Sequence, residues 1–354
     1  MALSKDEWST YDNLQKLRNS VETLKSKKVV LVGDVMLDRY VHGFSNNLDP
    51  TAAVPVLKET YRQQGAGAAA HVARGLLSLG LVPQLFAVVG DDNAGSELLE
   101  LLDVEGVPTS GIAVIEGRKT TVKTRLIASR ESLINQKQLM LRWDSEETEP
   151  LDDSIASSII KQACEAVASA SVLVISDYGK GVLSDEGAQS LVKAAESAGV
   201  PVVSDPKLTG LHRITGTQVA IMKARGLELM RRRIGAENSA QAAATMLSEN
   251  RIASLLVAGG EDGTTLYKDD NTSIHIPCSV ANPQQQIGLI DAANVAMTAA
   301  LASGLEVEDG CVLANASCEV ILSGEATSLE TVISARALAT RLDEVAWSMH
   351  ISQR

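Results

Sequence analysis

Apolar and polar positions along the chain change their period several times, and each change marks an element. Leu14, Leu17, Val21 and Leu24 recur at three- and four-residue spacing in a charged background. That spacing predicts an amphipathic helix within residues 1–27, an appendage packed on the domain or on a partner. The continuous apolar run Lys28 to Gly33 then predicts a strand covered on both faces. From 41 to 62 short extended pieces such as Val54-Pro55-Val56-Leu57 replace any helical period. Within 111–143, Thr120 to Ile127 and Gln138 to Trp143 alternate polar and apolar residues, as half-exposed strands do. Together these two segments predict a small β-rich lid over one edge of a larger sheet. Between them, Gly65-Ala66-Gly67 predicts a small-residue turn running into a helix that continues through about Leu79 and stops at Gly80.

After Asp144 the pattern settles into alternating strands and helices. Strands are predicted at 172–176, 202–204, 219–222 and 254–257, helices at about 185–198 and 240–249, a hairpin at about 263–276, and two further helices starting near Asp291 and Glu306. This alternation predicts an α/β fold, a mostly parallel central sheet covered by helices on both faces. The domain is expected to span 28–345, with a tail at 346–354.

Composition narrows the partners. A chain of 354 residues, 45% hydrophobic and with a formal net charge of −12, can bury a large core and is poorly suited to nucleic acid or an anionic membrane. The short basic cluster Arg231-Arg232-Arg233 fits the end of a helix better than a binding patch. The four cysteines, Cys164, Cys278, Cys311 and Cys318, have neither CxxC spacing nor a histidine at zinc-ligand spacing, so free thiols in a reducing cytoplasm are expected. The polar start resembles no signal peptide, and the most apolar stretch is interrupted by Asp291 and Asn294. A cytoplasmic protein acting on a small molecule is the expectation.

Candidate chemistry collects at the predicted strand ends. Asp34 and Asp38 follow the first strand, and Ser176-Asp177-Tyr178-Gly179-Lys180-Gly181, Asp205-Pro206-Lys207 and Gly259-Gly260-Glu261-Asp262-Gly263 follow later ones. In an open α/β sheet that edge holds the ligand crevice, although each cluster alone also fits ordinary loop capping. Gly288, just ahead of a helix, leaves backbone N–H groups free to meet an anion, and Asp291 in the first turn could act as a base beside them. The alternative is a turn glycine and an Asp that only complements the helix dipole. His71, at the start of the helix after Gly67, could donate to a substrate oxygen or simply be a packed histidine. No GxGxxG follows the first strand, which argues against a nicotinamide-binding Rossmann domain.

Taken together, these blocks resemble the ribokinase-like (PfkB) carbohydrate kinases, most closely their heptose 7-phosphate kinases, from about Val29 to Ser328. Val32-Gly33-Asp34-Val35-Met36-Leu37-Asp38-Arg39-Tyr40, Ser176 to Gly181 and Asp205-Pro206-Lys207 carry the likeness. The resemblance implies a single α/β domain with a β lid, transfer of the ATP γ-phosphoryl group with Mg²⁺, a sugar-phosphate substrate and a homodimer formed through the lid. It also implies roles: Asp291 as the base and Gly288 as the start of the anion hole; Asp34, Asp38, Gly67, His71, Lys180, Asp205 and Lys207 on the substrate side; Lys223, Ala258, Gly263 and Asn315 on the nucleotide side. No residue is assigned as a direct metal ligand.

Several of these positions depart from the family pattern. Gly288-Leu289-Ile290-Asp291 stands for Gly-Ala-Gly-Asp, and Ile290 is expected to resist the positive φ a glycine could adopt. Lys223-Ala224-Arg225-Gly226 stands for Asn-x-x-Glu, and Ala258 for a threonine. Two readings follow. In one, the chain is a working sugar-phosphate kinase in which Lys223 or Arg225 replaces charge otherwise carried by Mg²⁺. In the other, it is a degenerate kinase fold that binds a sugar phosphate or serves as an assembly subunit. The nucleotidyltransferase half fused to some relatives is not expected after Trp347.

Overall fold

The computed structural model describes residues 5–24, 26–130, 132, 137–147, 149–283, 285–324 and 331–351. Ser328 and residues 352–354, named above, lie outside that set.

The chain starts with α1 (Lys5–Thr23) and β1 (Lys28–Gly33), followed by the long strands β2 (Val35–Leu48) and β3 (Pro55–Ala68). Next come α2 (Ala69–Ser78), β4 (Val82–Gly90), α3 (Asn93–Val104), β5 (Ile112–Ile115), β6 (Val122–Ser129) and β7 (Gln138–Ser145). The alternating half consists of α4 (Asp153–Val167), β8 (Val172–Ser176), α5 (Asp185–Ala198), β9 (Val202–Ser204), β10 (Val219–Lys223), α6 (Ala224–Ile234), α7 (Ser239–Asn250) and β11 (Ser254–Ala258). The hairpin β12 (Thr264–Lys268) and β13 (Ser273–Ile276) precedes α8 (Leu289–Ala302), α9 (Val307–Leu322) and α10 (Ala335–Ile351).

Nine strands form the main sheet in the order β13-β12-β11-β10-β9-β8-β1-β4-β5. Its strands are parallel except for the antiparallel β11-β12-β13 edge. Successive residues of β1 enter different cores: Val29 and Leu31 join the one containing α2, α8 and α9, whereas Val30 and Val32 join the one containing α4, α5 and α7. A strand buried on both faces reads as an unbroken apolar run, which is why Lys28 to Gly33 was legible.

The parallel order brings the C-terminal ends of β1, β8, β9, β10 and β11 to one edge of the sheet. Over that edge lies the lid, a separate four-stranded sheet in the order β3-β2-β6-β7. Two of its expected boundaries are corrected. The first lid segment is a hairpin running from 35 to 68 rather than from 41 to 62, so Gly65, Ala66 and Gly67 belong to a strand and not to a turn. Of 111–143, the part at 112–115 pairs with β4 in the main sheet, and the lid strands are β6 and β7. Polar residues on both β2 and β3 hid the hairpin, because a lid sheet facing a polar cleft has no apolar stripe to reveal it.

The N-terminal helix is not an appendage. Leu14, Leu17, Val21 and Leu24 are buried in the same core as α8 and α9, and that core also contains Leu338, Leu342 and Ala346 of α10. Arg18 of α1 donates to Asp343 of α10 at 2.8 Å. The expected tail is corrected as well, since residues 346–351 continue α10.

Candidate active site

Asp291 occupies the first turn of α8, and the chain reaches it through Gly288. Gly288 has φ 85° and ψ 0°, the left-handed conformation, and a Cβ there would also lie 3.0 Å from Thr331. Glycine therefore fits this cap for both backbone and packing reasons. The expected clash at Ile290 does not occur: α8 has already begun there, and Ile290 is not among the residues with positive φ. Leu289 turns into the core, while Ile290 borders the cleft. Among the described residues, no acceptor engages the N–H groups of 289–291, so the helix start presents its donors to the cleft.

The Asp291 carboxylate is held from two sides. The Tyr178 hydroxyl donates to Oδ1 at 3.2 Å, and His71 Nδ1 stands 3.6 Å from Oδ2. Burial is the main cause of an Asp291 pKa raised to about 6. The Tyr178 hydrogen bond opposes that rise, the Asp38 charge adds to it, and Lys223 and Lys123 oppose it. His71 is buried, and its Nε2 lies 2.7 Å from Thr331 Oγ1. Burial lowers its pKa to about 4, so it faces Asp291 as a neutral imidazole.

The surrounding cleft encloses about 590 Å³ between lid and main sheet. Lys123, Arg125 and Arg142 of the lid border it, as do Lys207 after β9 and Lys223 and Arg225 at the start of α6. Arg125 is paired with Asp38, and Arg142 with Asp144 at 2.8 Å. Lys123, Lys207, Lys223 and Arg225 make no ion pair among the described residues. The Lys123 and Lys207 ammonium groups lie 5.8 and 5.7 Å from the centre of the Tyr178 ring. Asp205 also borders the cleft; Ser176 donates to its Oδ2 at 3.2 Å, while its buried Oδ1 has no partner. Burial, reinforced by the Asp291 charge, pushes the Asp205 pKa well up.

The residues expected on the substrate side divide. Asp38, Asp205, Lys207 and Asp291 border the cleft. Gly67 lies beside Asp38, where an added Cβ would come within 2.2 Å of Asp38 Oδ2, so only glycine leaves that carboxylate in place. Asp34 does not reach the cleft. It is 1% exposed and accepts N–H bonds from Tyr178 (2.8 Å), Lys180 (3.0 Å) and Val182 (3.4 Å), which makes it the anchor of the loop after β8. Lys180 does not reach the cleft either, because its Nζ pairs with Glu146 at 2.5 Å.

On the nucleotide side, Lys223 borders the cleft, but Ala258, Gly263 and Asn315 do not. Ala258 is the neighbour of Lys223 in the β10-β11 register and is buried. Gly263 has φ 86° at the entry to β12, where a Cβ would lie 2.1 Å from the Ile276 carbonyl oxygen. Asn315 Oδ1 is buried without a partner on α9. Ala68 carries an unexpected signature of a constrained site: a non-glycine residue with φ 55° and ψ −130° that borders the cleft. Such conformations cost on the order of 1–3 kcal/mol and concentrate at functional sites. Sequence reasoning also missed Lys123 and Tyr178. The alternation of β6 was the available signal for Lys123, since it puts 123 and 125 on one face of the lid.

The cleft chemistry suits phosphate better than a resident metal. Four unpaired cations and the start of α8 can receive phosphoryl oxygens. Among the described residues no group of three or more His, Cys, Asp or Glu side chains could hold a metal ion. Asp38 is tied to Arg125 and Asp177 to Arg213, leaving Asp291 and the buried, unpartnered Asp205 oxygen. Among the described residues no helix is long and apolar enough to cross a membrane.

Comparisons with known proteins agree with this architecture. The family profile described as pfkB family carbohydrate kinase matches residues 26–332. The bifunctional protein HldE of Paramagnetospirillum magneticum is 34% identical over 321 residues, covering 89% of this chain and 64% of that protein. The chain thus spans just under two thirds of that relative's length. Escherichia coli phosphofructokinase-2, solved with potassium, superposes with a TM-score of 0.69 at 18% identity, covering 90% of this chain and 99% of that one. Arabidopsis thaliana ribokinase, solved with ribose and ATP, gives 0.65 at 17% identity, covering 90% and 99%. At these identities the two solved structures establish the ribokinase-like fold alone.

Proposed function

The chain belongs to the pfkB family of carbohydrate kinases, and from that premise we propose that it transfers the ATP γ-phosphoryl group to a hydroxyl of a sugar that already carries a phosphate, a heptose 7-phosphate-like acceptor. The carrying observation is the set of four unpaired cations around Asp291. Lys223 and Arg225 stand together at the start of α6 and suit the donor's phosphates, while Lys123 and Lys207 flank Tyr178 and suit a second anion on the acceptor. A neutral sugar would offer this second pair no counter-charge.

Asp291 then takes the proton of the attacking hydroxyl. A carboxylate with a pKa near 6 is ionised at neutral pH and more basic than an ordinary aspartate, which suits it to this step. The N–H groups at the start of α8 and the nearby cations stabilise the charge on the phosphoryl oxygens as it shifts in the transition state. Mg²⁺, when bound with the nucleotide, would supply further neutralisation of the phosphates, and Asp205, a cleft carboxylate whose buried Oδ1 has no protein partner, would be the residue to hold it. Lys223 and Arg225 carry the share of that neutralisation for which no further carboxylate is present.

The lid supports a homodimer. On its edge strand β7, Leu139, Met140, Leu141 and Trp143 are exposed, Trp143 by 66%, and a second lid would cover them. Sedimentation would show a dimer that Leu141→Glu dissociates.

ATP consumption measured with D-glycero-D-manno-heptose 7-phosphate and a panel of hexose phosphates tests the kinase reading. Acceptor-dependent turnover is expected, falling by roughly 10²- to 10⁴-fold in Asp291→Asn. Sugar-phosphate binding by calorimetry with no turnover across the panel would instead identify a degenerate kinase fold that retains the acceptor site.

A further inference from the structure

Tyr178 bridges two parts of the cleft that the proposed function keeps separate. Its ring centre lies near both the Lys123 and Lys207 ammonium groups, at 5.8 and 5.7 Å, and its hydroxyl donates to Asp291 Oδ1 at 3.2 Å. The loop that carries it is fixed from below. Asp34 accepts the N–H groups of Tyr178, Lys180 and Val182, and Gly179 N–H bonds Asp177 Oδ1 at 2.8 Å. Asp177 is itself held by Arg213 at 2.9 Å. A half-buried phenol on an anchored loop and bonded to Asp291 has little freedom, so its hydroxyl direction is set before any ligand arrives.

We infer that Tyr178 is a positioning residue for the base: its hydroxyl fixes the Oδ1 edge of Asp291 and favours the ionised carboxylate, while its ring packs beside the two lysines. Phenol-to-carboxylate hydrogen bonding stabilises only the charged form of the acceptor. Without it, Asp291 would feel burial together with the charge of Asp38 on β2, both of which disfavour ionisation; Asp205 after β9 has its own pKa pushed well up by burial and by the Asp291 charge. Lys123 of β6 and Lys223 of β10 would still favour it, and His71 of α2 would remain a neutral neighbour. The Tyr178 hydroxyl is thus the one direct hydrogen-bond donor to the base among the described residues, and the other influences act through space or at longer range.

The inference rests on the kinase reading for its consequence in turnover, but not for its test. Tyr178→Phe keeps the ring beside the lysines and removes the hydroxyl. In the variant, the Asp291 carboxyl, labelled with ¹³C and assigned by its absence from Asp291→Asn, should titrate at higher pH than in the unaltered protein. Uniform replacement of tyrosine by 3-fluorotyrosine, whose phenol is a stronger donor, should move that titration to lower pH. If turnover is present, kcat should fall by roughly tenfold or more with both KM values within about twofold, and the acidic limb of the pH profile should move upward. A merely structural tyrosine would lower stability without moving that limb. An Asp291 titration unchanged in both proteins would overturn the inference. Absence of turnover in the unaltered protein would remove the kinase reading while leaving the titration to decide the role of Tyr178.

Discussion

Two groups of charged residues lie at the same sheet edge, and the difference between them is the number of partners each already has. Asp34 is almost completely buried and accepts three backbone N–H groups, and Lys180 is neutralised by Glu146. Asp205 is also buried but has an oxygen without a partner, and Lys123, Lys207, Lys223 and Arg225 have no carboxylate partner among the described residues. Burial alone therefore does not separate function from architecture at this edge. A satisfied group holds the chain in place, whereas a group at the cleft with unused bonding capacity is prepared for something from outside. Asp34, Lys180, Asp205 and Lys207, drawn from both groups, come from motif blocks that look equally strong as sequence.

The comparison breaks most visibly at Asp34. Asp34→Ala would leave three buried N–H groups without an acceptor, which should cost roughly 3 kcal/mol or more and lower the denaturation midpoint. Burial pushes the Asp34 pKa up in spite of those bonds, so Asp34→Asn, which keeps one acceptor oxygen, should be milder. Urea unfolding of the two variants measures the difference. An Asp34→Ala protein as stable as the original, with acceptor binding lost, would move Asp34 from the first group into the second.

A smaller effect is expected from Lys223→Met and Arg225→Met. Neither residue has an ion pair to lose among the described residues, so stability should change by less than about 0.5 kcal/mol. Each should weaken ATP binding by roughly tenfold, consistent with losing one charge-assisted contact. Calorimetry with and without EDTA sharpens the point. If these cations carry charge otherwise supplied by a divalent ion, affinity for ATP in the unaltered protein should depend weakly on the metal, and each variant should increase that dependence.

The same distinction explains what was legible before the structure. α5 is readable to the residue because Ser184 caps its start through Gly187 N–H and Gly199 ends it in the left-handed conformation, both local signals. β1 and β8 are readable because burial on both faces demands unbroken apolar runs. The lid hairpin was not, since its residues answer to a polar cleft, and the place of α1 was not, since its apolar stripe says that it packs but not against what. Among candidate site residues, motif position recovered Asp291, Asp205 and Lys207 at the cleft. It could not reveal that Asp34 and Lys180 were already engaged, because partners at Val182 and Glu146 are fixed by loop geometry rather than by spacing. Lys123 shows the converse: it sits in no singled-out block, and only the stacking of the lid over Tyr178 gives it a role.

The smallest effect is the pH dependence of stability. Asp291 and Asp205 both have folded-state pKa values above the ordinary carboxylate value of 3.8, the former at about 6. Over the interval between, the folded protein binds more protons than the unfolded chain, so the stability these groups contribute is complete below the ordinary value and is lost as pH rises through the folded-state value. Pairs such as Glu228 with Arg231 and Arg232, which lower the carboxylate pKa to about 2, give stability that is instead lost at low pH. The total slope mixes the two, so the informative quantity is a difference. Between pH 4 and pH 7 the melting temperature of Asp291→Asn should fall less, or rise more, than that of the unaltered protein, by a few degrees. Parallel curves would mean that Asp291 keeps an ordinary carboxylate pKa in the folded protein, and its assignment as a base of raised basicity would then lose its physical basis.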